Sequence, residues 1–419
     1  MRLPAPLLSL LALLLATSLA SSTAVAQSRD FDRDRNNDAL GFKIGETDLF
    51  PAVRLDYLQN SNAFLQPSDE LAVNDVVISP ELIWVADRRL VSLEGSYQGQ
   101  YNVSSEEVLN FADHRLALDA DVELSSRKRM SGFVSLDFGH EELGVNLTRG
   151  SANDNSDLVE FTDFQIEGTY RYGAANAKGN LSAGLLVQNF GHTSRNDVTS
   201  GRGFNRFEPF AEFSLRISGD TRLLSEIRFG SFRFEDSRRD RDDLSLLAGM
   251  QFAATGKTGG SLRVGAVQSQ TKLASANDQT EFVLRALLFW EPASFSRFEL
   301  DGRRELDNLG SSLVNTASGD GLSSVEDFVR LTWVHTWTGR VSHVAYVESR
   351  NFTRACPNLN DNTVTGSLEF NVQVRRWLSV GFGGSSTTRD IPGCPGTENS
   401  DPDLDYQQTR VGAHIRATL

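Results

Sequence analysis

Two sets of charged residues are the parts of this sequence best placed to act on a solute. Glu94, Asp119, Asp121, Glu123, Asp137 and Glu167 fall in its first half, and Arg263, Arg285, Arg330, Arg375, Arg410 and Arg416 in its second. Each occupies the polar phase of a segment in which apolar and polar residues alternate. If these segments line one space, an acidic wall faces a more basic one, and such walls tune which solutes pass. The alternative, that the same charges pair with one another and simply fill a wet interior, stays open at this point.

Catalytic constellations are not legible. The histidines His114, His140, His192, His335, His343 and His414 are scattered, without the spacing of metal ligands. No nucleophile elbow, phosphate loop or dinucleotide fingerprint occurs. His140-Glu141-Glu142 contains acid/base groups, but a structural or solvated role outweighs a hydrolytic one. The expectation is a non-enzyme with no catalytic, cofactor-binding or metal-binding residues and no cofactor. Cys356 and Cys394, each followed by proline in polar sequence, are the only two cysteines. In an exported chain they are expected to form a disulfide.

Export is expected from the first residues. Met1-Arg2 is a short basic start, 7–19 an apolar core, and Ala24-Val25-Ala26 a small-x-small cleavage site, so 1–26 reads as a secretory signal peptide. Loss of Arg2 with it takes the net charge from −14 to −15, which argues against a nucleic-acid partner. Residues 27–46 are expected to form a flexible periplasmic segment, beginning with the polar, charge-alternating stretch up to Ala39.

The remainder, 47–419, must hold the charges in phase. Leu116, Leu118, Ala120, Val122 and Leu124 alternate with Arg115, Ala117, Asp119, Asp121 and Glu123. Successive strand side chains point to opposite faces, so such a segment has one oily and one charged face. About 18 such segments follow one another, with 16 as the alternative count. Mean hydropathy is −0.30, as expected where only every second residue faces lipid. In 229–234 the phase is ambiguous, which a β-bulge would explain.

The connections alternate in length. Short ones lie at 86–89, 126–129, 173–179, 218–221, 255–259, 291–294, 338–339 and 375–376. Long polar ones lie at 60–75, 104–110, 141–160, 191–205, 235–243, 270–280, 305–324, 351–362 and 389–403. Trp84, Trp290, Trp337 and Trp377 cluster near the short turns, as interfacial indoles do, and Trp333 lies deeper. The fold class is therefore all-β: a single transmembrane antiparallel up-and-down β-barrel with short periplasmic turns and long extracellular loops. Its expected place is the outer membrane of a Gram-negative bacterium, and its expected partners are outer-membrane lipid and the barrel-assembly machinery.

The chain also resembles the β-barrel porin 2 family of Gram-negative outer-membrane proteins. The resemblance rests on Leu49-Phe50-Pro51, Val53-Arg54-Leu55-Asp56-Tyr57, Asn60-Ser61-Asn62, Ile78-Ser79-Pro80-Glu81-Leu82, Tyr97-Gln98-Gly99-Gln100-Tyr101 and the basic turn Arg127-Lys128-Arg129. The final residue, Leu419, departs from the aromatic terminus common among outer-membrane proteins. The resemblance implies a passive channel, with export of a surface polysaccharide and contact with polysaccharide-export components as its finer reading. A general diffusion porin or a scaffold is the alternative, and an outer-membrane hydrolase is the more distant one.

Overall fold

The computed structural model describes residues 41–144, 157–174, 176–255, 257–272, 278–306, 325–353, 360–390 and 405–419. The expected signal peptide, residues 27–40 of the expected leader, Cys356 and Cys394 lie outside them. The strands are β1 (Phe42–Ile44), β2 (Thr47–Asn60), β3 (Val73–Arg88), β4 (Val91–Ser104), β5 (Phe111–Ser125), β6 (Lys128–Glu141), β7 (Val159–Tyr172), β8 (Gly179–His192), β9 (Phe204–Ser218) and β10 (Thr221–Phe234). They continue with β11 (Arg241–Thr255), β12 (Thr258–Thr271), β13 (Gln279–Ala293), β14 (Ser296–Leu306), β15 (Val325–Thr338), β16 (Val341–Thr353), β17 (Asn360–Arg375), β18 (Leu378–Asp390) and β19 (Tyr406–Thr418).

From β2 onward each strand pairs antiparallel with the next, and β19 pairs back onto β2 with Arg410 opposite Asn60 and Thr418 opposite Ala52. The result is a closed barrel of 18 strands, in which no edge is left to seek a partner. The count of about 18 alternating segments is the count of strands in the ring.

Residues 41–46 correct the expectation of a flexible leader. Gly45, at φ +63, turns β1 back onto β2, with Phe42 opposite Leu49. The β1 strand thereby continues the edge that β19 leaves at its end, and Gly41 N–H donates to the Leu419 carbonyl at 3.0 Å. Leu419 N–H in turn donates to the Pro51 carbonyl at 3.1 Å, so the last residue is tied into the seam.

Alternation decides inside from outside. Val53, Leu55 and Tyr57 are exposed on β2, whereas Asp56 between them is 8% exposed. Register carries one oily row around the wall, from Leu118 to Val134, Ile166, Val187 and Phe207. Such a continuous exposed apolar face would be unstable in water, and in a closed barrel it is the surface that meets hydrocarbon. Trp84 belongs to this outer face and lies over Gly95, where a Cβ would come within 2.0 Å of the indole. Trp290, Trp337 and Trp377 are exposed near the turns.

The turns at 89–90, 126–127, 173–178, 219–220, 294–295, 339–340 and 376–377 share one end of the barrel. The longer connections share the other, which makes the turn end periplasmic and the loop end external. The suspected bulge at 229–234 is absent: Arg228 pairs with Phe210 and Ser231 with Phe207 in unbroken register. The shift lies instead between Thr221 and Arg222, beside the turn. The ambiguity arises because Phe232, 1% exposed, points inward and packs with Phe190 and Phe204. Aromatics thus occupy both faces of this strand.

Candidate functional site

The inward face of β9–β16 carries an almost continuous belt of ion pairs. Arg206 meets Glu208 at 2.5 Å, Glu208 also pairs with Arg228, and Arg228 meets Glu226 at 3.1 Å. Glu226 further faces Arg263 at 3.7 Å and Arg285 at 3.6 Å, while Arg263 meets Glu212 at 2.9 Å. From Arg285 the belt runs through Glu305 at 3.6 Å, Arg303 at 3.7 Å, Glu326 at 3.7 Å and Arg350 at 3.2 Å. It ends on Glu348, 3.7 Å from Arg350 and also paired with Arg330. The Phe328 ring is packed between three of these guanidiniums, with Arg303 4.2 Å from its centroid and Arg350 and Arg330 at 5.5 and 5.6 Å. Planar guanidiniums stack on an aromatic face and still use their edges for carboxylates, which fixes the belt against the wall.

A second paired region spans β17–β19 and β2–β3. Arg54 meets Asp56 at 2.7 Å and donates to His414 Nδ1 at 3.2 Å. His414 Nε2 lies 2.9 Å from the Asn371 side-chain oxygen. The two contacts together assign the Nε2–H tautomer, because only Nδ1 can then accept from Arg54. Arg416 reaches Glu81 at 2.8 Å.

The arc from β4 to β8 differs in sign. Register sets Glu94 opposite Asp119, and Asp137 opposite Asp163. Arg115 lies 3.4 Å from Asp137, and Gln188 donates to Asp163 at 3.0 Å. Carboxylates directly opposite on adjacent strands repel, and the Arg115 and Gln188 contacts offset part of that repulsion. Asp121 and Glu167 share this face. Arg263, Arg285, Arg330, Arg410 and Arg416, read in sequence as the basic wall, each meet a carboxylate.

Two residues sit elsewhere than the sequence reading implies. Glu123 and Arg375 are exposed at the turn-side rim, Glu123 at 3.8 Å from Arg129 and Arg375 where the β17–β18 register shifts. The run His140-Glu141-Glu142 is dispersed: His140 faces Asp113 at 3.0 Å, Glu141 faces His192 at 3.6 Å, and Glu142 accepts from Arg410 at 2.9 Å. That leaves no acid/base pair among the three. His335 and His343 belong to the outer aromatic surface with Trp333 and Trp337, not to the lumen. Among the described residues no group of metal-ligating side chains forms.

Sequence reasoning missed one contact made by a loop that folds inward. The β6 and β19 strands are five strand spacings apart in the sheet order, about 24 Å along the wall at the usual separation. Glu142, just beyond β6, nevertheless bonds Arg410 on the inner face of β19. The chain beyond β6 must therefore leave the wall and fold inward toward β19, along a chord over five of the 18 strand positions. Residues 61–72 pack beside it, against β19. Asn62, fully buried, donates to the Gln66 and Gln407 carbonyls at 2.7 and 3.0 Å, and its own carbonyl accepts from Gln408 at 2.9 Å. Phe64 and Leu143 then form a small core with Leu71, Val108, Leu109 and Leu158. Gly144, at φ +84, lies so close to Phe64 that a Cβ would stand 2.3 Å from its carbonyl oxygen. The signal for this in sequence is the apolar run Ala63-Phe64-Leu65, with Leu71, inside a connection read as polar.

No protein-family model matches the chain, and no curated protein matches it. Solved structures to which it is similar include the outer membrane channel DcaP of Acinetobacter baumannii, at 13% identity and a TM-score of 0.45 over 90% of this chain and 99% of that one. OccK5 (OpdH) of Pseudomonas aeruginosa is similar at 10% identity and a TM-score of 0.47, over 90% of this chain and 99% of that one. A BenF-like porin from Pseudomonas fluorescens Pf-5 is similar at 12% identity and a TM-score of 0.46, over 90% of this chain and 100% of that one.

Proposed function

We propose that this protein is a passive, water-filled channel of a Gram-negative outer membrane that conducts small hydrophilic solutes. The observation that carries the reading is a closed ring of 18 strands with an apolar exterior and an interior crowded with charge. A barrel of this strand number is wide enough to hold an aqueous channel rather than a packed core. Lipid meets Leu118, Ile166 and Val187 on the outside, and β19 with Leu419 presents the seam that the assembly machinery closes. Residues 1–26 serve as the export signal in this reading.

The carboxylates set opposite one another on β4–β8 favour cations, because closely spaced groups of one sign concentrate counter-ions in a confined aqueous space. Export of a surface polysaccharide, the finer reading that the resemblance implies, asks more of the channel. A hydrated glycan chain needs a wide continuous opening, whereas small hydrophilic solutes need only a wet, charge-lined path, which the inward-facing ion pairs provide.

Purified protein in planar lipid bilayers is expected to give discrete conductance steps, with a reversal potential shifted toward cations in a salt gradient. Insertion without any steps would overturn the channel reading. Steps with an anion-side reversal potential would overturn the role given to the carboxylate arc.

A further inference from the structure

We propose that the turn end of the barrel carries an arc of cations that gathers anionic phospholipid headgroups in the periplasmic leaflet of the membrane. The inference concerns the outside of the wall and is independent of what the lumen conducts. The chain as a whole is acidic, with a net charge of −14. Its tight connections and their edges nevertheless hold Arg89 between β3 and β4, Arg127 and Lys128 between β5 and β6, Arg340 between β15 and β16, and Arg375 and Arg376 between β17 and β18. All six are exposed, and none makes an ion pair among the described residues. Closure of β19 onto β2 brings these four turns into one arc of the ring, running from β15 through the seam to β6.

The carboxylates beside these turns are already engaged. Glu46 meets Arg88 at 2.9 Å, Asp48 meets Lys43 at 3.5 Å, Glu123 meets Arg129 at 3.8 Å, and Asp87 accepts from the Ser92 hydroxyl. Turns on the other side of the ring are mixed in sign: Lys178 and Lys257 stand with Asp220 and with the Glu291–Arg297 pair at 3.1 Å. What adjoins the six cations selects lipid over a soluble partner. Leu90, Tyr172, Trp337 and Trp377 are each about half exposed. Leu90 follows Arg89, Trp377 follows Arg376, Tyr172 is the cross-strand partner of Lys128, and Trp337 ends the strand that turns into Arg340. Lysine and arginine stems cover apolar surface at a membrane boundary while their heads reach out of it, and indoles favour the same depth. The charge this arc lacks is negative, and a lipid phosphate supplies it, taking two parallel bonds from a guanidinium.

The test offers the folded barrel equal amounts of phosphatidylglycerol and phosphatidylcholine with identical acyl chains in mixed micelles and counts the lipids retained by native mass spectrometry. The wild type is expected to prefer phosphatidylglycerol, and each neutralised cation to lower that preference by up to about fivefold at low salt. Arg340→Gln/Arg375→Gln/Arg376→Gln should therefore lose most of it, the matching triple lysine variant should keep it, and Lys178→Gln, outside the arc, should leave it unchanged. A wild type that retains both lipids equally would overturn the proposal, and so would a triple glutamine variant with undiminished preference. If the glutamine variants fail to assemble, the wild type alone decides: its preference should fall as salt is raised from about 50 mM to about 0.5 M, and indifference to salt would overturn the proposal. Binding of poly-glutamate by a wild type that shows no lipid preference would assign the arc to an acidic polypeptide and overturn the lipid reading.

Discussion

Leu118 and Asp119 are adjacent on β5 and should behave as if they belonged to different proteins. Leu118 is the central residue of a strand spanning Phe111–Ser125, faces outward, and has Gly95 and Val134 as its cross-strand neighbours. Arginine there places a guanidinium near the middle of the hydrocarbon layer, beside Val134 and Gly95, over which the Trp84 indole lies. The cost on the lipid face of a barrel is about 2–4 kcal/mol, or roughly 30- to 700-fold in the folding equilibrium. Snorkelling offers little relief, because the position is far from both rims. Asp119 faces the lumen opposite Glu94, so Asp119→Arg keeps a charge on the wet face and removes a like-charge pair. Refolding from denaturant into phospholipid vesicles, read as the fraction of heat-modifiable barrel on a gel, should show a marked loss for Leu118→Arg and near wild-type yield for Asp119→Arg. The assembled Asp119→Arg channel should shift its reversal potential toward anions. Equal folding of the two variants would refute the assigned phase of β5, and with it the division of the wall into lipid and lumen faces.

Four further outcomes are expected. Epitope tags placed within 145–156 or 307–324 should be accessible on intact cells, whereas tags after Lys128 or Gly339 should require permeabilised cells; the reverse pattern would invert the barrel. Glu226→Gln removes the carboxylate shared by Arg228, Arg263 and Arg285, and should move the reversal potential toward anions in a salt gradient. The Glu142 carboxyl is held below its ordinary range, so its ion pair is complete at neutral pH and lost only as pH falls through that depressed value. A Glu142 carboxyl that titrates at or above about 4.3, the usual glutamate value, in an NMR titration would contradict the pairing. Cys356 and Cys394, in consecutive external loops, are proposed to form a disulfide that non-reducing mass spectrometry should find as linked peptides; complete alkylation of both thiols without reductant would exclude it.

Much of this protein is determined by local sequence. The period-two alternation in 116–124 places Leu118 outward and Asp119 inward whatever the rest of the chain does, because successive strand residues face opposite sides. Gly45, Gly219 and Gly339 stand in tight connections at the turn end, and the polar lengths between the other strand ends mark the external end. That information is short-range, and it sufficed for strand number, topology and the faces of the wall. Tertiary structure decided the rest. Phe232 reads as a phase error until Phe190 and Phe204 meet it inside. The arginines of β12–β16 read as a basic wall until register and side-chain reach bring Glu212, Glu226, Glu305 and Glu348 to them. Glu142 and Arg410 stand 268 positions apart, and no periodicity links them. Alternation tells each residue which face it takes, but which charges meet across a lumen depends on closure at the β19–β2 seam and on loops folding inward. Only the closed ring sets those distances.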